Sequence, residues 1–278
     1  MIDLSIFNQE EEFSVFHKIN FTLTDNGKEQ LRLNLSSPLD TLEKIQGIQQ
    51  TLQRIKEKTD KWPMQISNGT VKVVERFYET GIDPLPSTVT SLNAYSYKVL
   101  HGPDFSLVKY SVTHCFDFIK GMQQLVQLLL DADTPQPLKN LLAETKKMVF
   151  SEELSCIEKK HKAAELAITD ALQLGQYLRF RFKHHMMQLL GIHAQLDAWY
   201  GMALAVKKYN LVFPVFSASP QPFIEAKGLY HILLLNPVSY DVNLNRDKNL
   251  LFLTGAKKKR KSTFIKSVGI AAFLAHAG

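Results

Sequence analysis

The sequence predicts a mainly α-helical protein that ends in a short α/β segment, and three observations support this prediction. Apolar residues recur every three or four positions through most of the first 210 residues, which is the period of a helix packed along one face. After Asn210, four prolines separate short β-prone runs. An apolar run at 250–253 then leads through a basic segment into a further helical pattern.

The composition is that of an ordinary globular protein. Of 278 residues, 45% are hydrophobic and 22% are charged, which excludes collagen-like and intrinsically disordered classes. The N-terminus lacks a basic segment followed by an apolar stretch, and no apolar run reaches the roughly 18 residues of a membrane span. Cys115 and Cys156 match no disulfide framework or zinc spacing. We therefore expect reduced thiols, a cytoplasmic location and no membrane partner.

The net positive charge comes mainly from one segment. Lys plus Arg number 33 and Asp plus Glu number 27, giving +6, and five of the positive residues are consecutive at 257–261. Without those five, 28 basic residues face 27 acidic ones and the net charge is +1. The high isoelectric point therefore reports a local basic segment rather than a general nucleic-acid surface.

The first 150 residues predict a series of helices. One helix is predicted over 25–35, and a second begins at an Asp40 N-cap and is stopped by Lys61-Trp62-Pro63. Further helices are predicted around Val71 to Tyr78 and over 87–100, 104–130 and 137–148. The apolar face of the second helix consists of Leu42, Ile45, Ile48, Leu52 and Ile55.

The segment 151–213 contains no proline and predicts a long helical element. Its second half has the most regular apolar spacing of the chain, at Leu189, Ile192, Leu196, Trp199, Ala203 and Val206. At about 1.5 Å per residue, 40 helical residues here form a rod of roughly 60 Å. Such a rod is longer than a compact core needs, so we expect it to connect distant parts mechanically.

The last 70 residues predict strands and one helix. Short β-prone runs lie at 212–213, 232–235 and 242–244, and residues 250–253, apolar at every position, predict a fully buried strand. A helix is predicted over 262–276. Because one strand–loop–helix unit does not build a doubly wound sheet, we expect the chain to be a fragment or a truncated product.

The junction between this strand and helix is similar to a phosphate-binding loop, GxxxxGK[ST]. Gly255, Lys261 and Ser262 have the required spacing, but Arg260 occupies the position of the second glycine. That position needs the backbone freedom of glycine and leaves little room for a side chain. The segment therefore indicates a nucleotide site with impaired binding; a solvated basic turn and a nuclear-import or nucleic-acid patch are the alternatives.

An ordered series of motifs resembles the MutS family of DNA mismatch-repair ATPases. The motifs are Asp3-Leu4-Ser5-Ile6-Phe7, Asn20-Phe21-Thr22-Leu23-Thr24, Gly27-Lys28-Glu29, Ser37-Pro38-Leu39, Leu196-Asp197-Ala198, Asn210-Leu211-Val212-Phe213-Pro214, Gly228-Leu229-Tyr230-His231, Asn236-Pro237-Val238 and the run from Asn249 to Phe264. The resemblance spans nearly the whole chain but is weak between about 60 and 150, and its last part is the most specific.

The resemblance implies a long-helix core and lever over 1–210, followed over 211–278 by the first strands, phosphate loop and helix of an incomplete α/β P-loop (ABC-type) ATPase domain. It implies an ATP site at Gly255, Ala256, Lys257, Lys258, Lys259, Arg260, Lys261, Ser262 and Thr263. Lys261 would hold the β- and γ-phosphates and Ser262 the Mg²⁺. It further implies weak or non-specific duplex DNA binding and a homodimer. No Walker B or signature motif is present, so we expect no hydrolysis and assign no catalytic residue.

Three other clusters are weaker candidates. Arg179, Arg181 and Lys183 alternate with aromatic residues, as in single-strand binders; in a helix, Phe180 would pack inward and the charges would face solvent. His193 and Asp197 have the spacing of a metal pair but favour a local hydrogen bond, since two ligands are too few. Cys115 beside His114 favours core packing over a thiol nucleophile.

The alternative function is a non-catalytic helical scaffold or interaction module. In that interpretation the C-terminal segment exposes apolar sheet edges, which favour self-association or binding to a partner.

Overall fold

In a computed structural model, the protein is mainly helical, as the sequence predicts. The structure describes residues 4–8, 10–82, 85–86, 89–217, 219–253 and 258–278, with backbone alone for 258–260. The helices are α1 (Val15–Ile19), α2 (Asp25–Ser36), α3 (Leu42–Lys58), α4 (Asn68–Glu79), α5 (Ser91–Leu100), α6 (Gly102–Leu129), α7 (Gln136–Val149), α8 (Ser155–Lys159), α9 (Ile168–Phe180), α10 (Lys183–Lys208) and α11 (Lys258–Ala275). The strands are β1 (Ile224–Leu229) and β2 (Tyr240–Leu244).

Two long helices, α6 and α10, form the centre of the helical body. Helix α6 packs against α4, α7 and α9, whereas α10 packs against α2 and α3. Phe116 and Phe118 on α6 are fully buried, and burying each aromatic side chain contributes about 1.5–3 kcal/mol. The ring of Trp62, just beyond α3, stacks on Tyr200 of α10 with the ring centroids 4.4 Å apart.

Hydroxyl side chains set the starts of several helices. Thr24, Thr41, Ser67 and Thr90 each accept a hydrogen bond from the backbone N–H three residues later, which satisfies an amide that the helix leaves unpaired. The prediction of Asp40 as an N-cap is wrong, because α3 begins one residue later than expected. The Asp40 carboxylate instead pairs with the Lys44 ammonium at 2.8 Å on the surface.

The predicted long rod over 151–213 is wrong, because the segment is divided into α8, α9 and α10 by two breaks. At the first break, Lys120 of α6 donates to the carbonyl oxygens of Ile157 and Glu158 at 3.0 and 2.9 Å. These bonds satisfy acceptors that a continuing helix would use itself. The longest helix of the segment is α10, whose 26 residues span about 39 Å.

The second break lies at Phe182, which turns into the core between α9 and α10. Phe182 is 1% exposed, and its N–H donates to the Tyr177 carbonyl five residues earlier rather than four. The expectation that Phe180 packs inward is wrong, since Phe180 is 63% exposed. Because Phe182 is buried, the chain leaves the axis of α9 at this point. The side chain of Phe180, the last residue of α9, then lies on the surface.

The C-terminal segment contains an antiparallel hairpin rather than a row of short strands. Strand β2 confirms the run at 242–244, and it pairs with β1, which the pattern did not predict. Runs 212–213 and 232–235 are not strands. In the latter, the Leu234 N–H donates to the His231 carbonyl oxygen in a turn.

The prediction of a buried strand at 250–253 is also wrong. These residues belong to no strand, and Leu250 and Phe252 are 83% and 85% exposed. A strand that is apolar on both faces is stable only between neighbouring strands. Among the described residues, the hairpin is the only sheet and does not pair with this run.

Helix α11 begins at Lys258, four residues before the predicted start. Lysine and arginine are good helix formers and glycine is a poor one, so Lys258 to Arg260 extend the helix where a phosphate loop would have its second glycine. The helix packs on the body: the Leu39 N–H donates to the His276 carbonyl at 2.7 Å. In the described part of the chain, no helix combines the length and hydropathy needed to cross a membrane.

Candidate functional site

The candidate phosphate site centres on the start of α11. Gly255, Ala256 and Lys257 lie outside the described residues, as do the side chains of Lys258, Lys259 and Arg260. Lys261, Ser262 and Thr263 lie within the first two turns of the helix. Basic residues therefore fill the helix end whose dipole is already positive. This combination favours an anion such as a phosphate group near the helix start.

Strand β2 fixes the position of α11. The Tyr240 hydroxyl lies 2.6 Å from the Ser267 hydroxyl, and the Tyr240 ring lies 4.8 Å from that of Phe264. Ser267 is buried and also donates to the Thr263 carbonyl at 2.8 Å. The hairpin therefore supports the helix one turn beyond Lys261 and Ser262.

The three basic residues expected to contact DNA lie in three different environments. Arg179 donates to the Phe77 and Thr80 carbonyl oxygens at the end of α4, and its guanidinium lies 5.3 Å from the Phe77 ring. Arg181 lines a cleft, and Lys183 is exposed at the start of α10. Arg179 thus has a structural role, and DNA contact by this cluster stays a prediction.

The cleft that contains Arg181 is acidic. It has a volume of about 430 Å³ and lies between α8 and α9, with Glu152, Glu153 and Asp170 in its wall. Burial, and then the charge of Asp170, raises the pKa of the Cys156 thiol, so the thiol is not activated as a nucleophile. Across the described ranges, no group of three or more His, Cys, Asp or Glu is placed to hold a metal ion.

Asp197 joins α10 to the start of α2. Its carboxylate accepts hydrogen bonds from the backbone N–H groups of Leu23 and Thr24 at 2.8 and 2.9 Å, and from the Thr24 hydroxyl at 2.7 Å. Burial raises the pKa of Asp197, and these three hydrogen bonds oppose that rise. Asp197 therefore acts as a buried anchor for a helix N-terminus, where negative charge is favoured.

The predicted hydrogen bond between His193 and Asp197 does not form: among the described residues, the Asp197 carboxylate accepts only from Leu23 and Thr24. His193 is 2% exposed, its Nδ1 finds no hydrogen-bond partner in the described part of the chain, and its ring makes a T-shaped contact with that of Phe118. Burial lowers the pKa of His193 from 6.5 to about 4. His193 is thus a neutral core residue at pH 7.

Cys115 is a core residue, as expected. It is fully buried, and burial raises the pKa of its thiol, which disfavours the thiolate required of a nucleophile. Its neighbour His114 instead meets the ring of Tyr110 edge-on, with the centroids 4.6 Å apart.

A second cleft, which no sequence motif predicts, lies between α5 and α6. Its volume is about 660 Å³, and it is lined by Lys98, Gly102, Phe105, Ser106, Lys109, Tyr110 and Thr113. The α6 members are spaced by alternating steps of three, one and three, so they form one stripe along the helix. Basic and aromatic residues at this spacing are the sequence signal that would have identified it.

Comparison with known proteins indicates a distant and partial relation to MutS. No family model matches the chain. DNA mismatch repair protein MutS of Thermotoga maritima is 30% identical over 148 residues, which is 50% of this chain and 18% of that protein. The MutS of Oleidesulfovibrio alaskensis is 28% identical over 137 residues, 46% of this chain and 15% of that protein. The matched regions thus span less than a fifth of either relative.

The contact between α2 and α10 predicts opposite effects of the same substitution at two glycines. A Cβ at Gly27 would overlap the Asp197 carboxylate, whereas one at Gly191 meets no atom within 4 Å in the part of the chain that the structure describes. We expect Gly27→Ala to lower the free energy of unfolding by about 1–3 kcal/mol. Gly191→Ala should raise it by about 0.8–1 kcal/mol through helix propensity. Urea titration measures both, and equal stability of the two variants would contradict this packing.

The buried His193 predicts a loss of stability in acid. Since its folded-state pKa is about 4 against 6.5 when unfolded, the unfolded chain binds more protons between these values, and stability falls as pH drops through this window. Between pH 7 and 5 the wild type should lose about 2 kcal/mol more than His193→Leu. Urea titrations at both pH values measure this difference. The control His184→Leu removes an exposed imidazole and should retain the wild-type loss; an identical loss in His193→Leu would refute the assignment.

Proposed function

We propose that the protein is a MutS-like component of DNA mismatch repair. The observation that carries the proposal is the similarity of half the chain to two MutS proteins. In this proposal, residues 1–210 form a helical core with a lever, and residues 211–278 contribute the phosphate-loop part of an ATP-binding domain. The lever would couple nucleotide state to DNA binding.

Helix α10 is the proposed lever, because it contacts both parts of the chain. Asp197 anchors its middle to α2 through three hydrogen bonds. At its end, the Tyr209 carbonyl accepts a hydrogen bond from the Tyr230 hydroxyl at 2.7 Å, next to β1. A displacement at the hairpin would therefore reach α2 through one continuous helix.

The proposed ATP site uses the start of α11. Lys261 would hold the β- and γ-phosphates, and Ser262 would ligate the Mg²⁺ that neutralises them. Two facts support this assignment: the spacing of Gly255, Lys261 and Ser262, and the basic first turn of the helix. Arg260 would impair binding, because a helical turn replaces the flexible loop that wraps around the phosphates.

The proposed role of Arg260 predicts a gain of ATP binding. Arg260→Gly should shorten α11 at its start, restore loop freedom and tighten binding of labelled ATP·Mg²⁺ by about tenfold, or about 1.4 kcal/mol. The double variant Arg260→Gly/Lys261→Ala should lose this gain, since the lysine that holds the phosphates is gone. If the wild type and Arg260→Gly both bind labelled ATP·Mg²⁺ negligibly, the proposal that Arg260 blocks the site is wrong.

A second candidate function, a scaffold or interaction module, is favoured by exposed apolar residues in the C-terminal segment. Val215, Leu235, Leu250 and Phe252 are each more than 80% exposed. Exposed apolar side chains mark an interface with another protein or a second copy when they form one contiguous patch, and the variants below test this for Leu250 and Phe252.

This candidate predicts self-association that depends on Leu250 and Phe252. The mass measured by sedimentation equilibrium should rise above the 31.7 kDa of one chain with increasing concentration. Leu250→Asp/Phe252→Asp should abolish the rise, because a carboxylate is costly to bury. The control Leu92→Asp, at an exposed position on α5, should not. A wild type that stays monomeric throughout would speak against this function.

A further inference from the structure

The cleft between α5 and α6 combines cationic, aromatic and hydroxyl groups. Lys98 and Lys109 are exposed, and no carboxylate is among the lining residues that the structure describes. Asp117, one turn beyond Thr113 on α6, does not line the cleft. The cleft therefore has a positive lining, in contrast to the acidic cleft around Arg181.

Neighbouring rings hold the cationic and aromatic groups in place. The Lys98 ammonium lies 5.9 Å from the ring centroids of both Tyr95 and Phe105. Tyr110 is 55% exposed and rests on the edge of His114, while Tyr95 is 62% exposed. Two tyrosine rings are thus accessible beside two lysines, and packing restricts the movement of one of them.

The stripe along α6 is also long enough to contact several nucleotides of a nucleic-acid strand. From Gly102 to Thr113 the helix rises about 16 Å, which accommodates at most about five nucleotides at the 3.4 Å rise of stacked bases. Proteins that bind single strands combine a basic groove with aromatic side chains on which bases stack. A duplex presents its phosphates outward and keeps its bases stacked on one another, so it would leave the tyrosines unused.

We propose that the α5–α6 cleft binds single-stranded DNA, with Lys98 and Lys109 contacting phosphates and Tyr110 stacking on a base. The choice of DNA rests on the proposed function in mismatch repair, whereas the location and the single-stranded form rest on the geometry of the cleft. The site is separate from the start of α11 and from the cluster of Arg179, Arg181 and Lys183.

Fluorescence anisotropy with a labelled oligothymidine at several salt concentrations tests the phosphate contacts. Removing two of them should reduce the slope of log K against log salt by about 1.4 for a single strand. Lys98→Gln/Lys109→Gln should show this reduction. The matched control Lys139→Gln/Lys147→Gln neutralises two exposed basic residues on α7, outside every candidate site, and should leave the slope unchanged. All four side chains are exposed, so the folded state should persist, and circular dichroism verifies it.

Two variants of Tyr110 test the stacking of its ring on a base. Tyr110→Leu should weaken binding by roughly 5- to 150-fold, the range for loss of one base–aromatic stack, while Tyr110→Phe should retain it. Absence of oligothymidine binding by the wild type, an unchanged slope in the Lys98/Lys109 variant, or equal affinities of the Leu and Phe variants would each overturn the inference. Tighter binding to a matched duplex than to the single strand would also overturn it, but would leave the proposed function standing. The ATP experiment bears only on the proposed function.

Discussion

The helical body depends on one buried carboxylate. Asp197 lies in the middle of α10 and accepts three hydrogen bonds from the chain that leads into α2. A buried negative charge is costly unless such donors and a helix N-terminus compensate it. Because the carboxylate occupies the space next to Gly27, the two helices approach closely at this point. The register of α10 against α2, and through it the position of Tyr209 at the helix end, follows from this contact.

The division of 151–213 into several helices shows tertiary contacts overriding local helix propensity. The segment lacks proline, and its local sequence favours a continuous helix. Lys120, more than 35 residues away in the chain, binds the last carbonyl oxygens of α8, and Phe182 leaves the helix axis to enter the core. Both breaks shorten the helices of this segment, and the second of them, α9, packs against α6.

The sequence was sufficient for features that depend on near neighbours. Apolar spacing located most helices of the body, and the run at 242–244 located β2. The sequence was insufficient where the structure around a residue depends on a partner far away in the chain. Neither the role of Asp197 nor the exposure of Phe180 has a local signal, since Thr24 lies 173 residues before Asp197 and Phe182 enters the core instead. Residues 250–253 have the composition of a core strand but no neighbouring strand among the described residues.

The candidate sites, too, are predictable from the sequence only where they depend on residues close together in the chain. The spacing of Lys261 and Ser262 is a local motif and is visible in the sequence, whereas the earlier start of α11 depends on the helix propensity of three residues that replace the loop. The α5–α6 cleft lies on two consecutive helices, and its α6 stripe is periodic. What the sequence lacked was the orientation of α5, which brings Lys98 toward Phe105.

The stacking of Trp62 on Tyr200 has a consequence for spectroscopy. The protein contains two tryptophans, and both Trp62 and Trp199 are buried beside or within α10. Emission from Trp62 therefore reports the contact between the chain after α3 and α10, and neither tryptophan belongs to the hairpin or to α11. A rearrangement confined to the hairpin and α11 moves no tryptophan, so a change in tryptophan emission on such a rearrangement would indicate coupling between the C-terminal segment and α10.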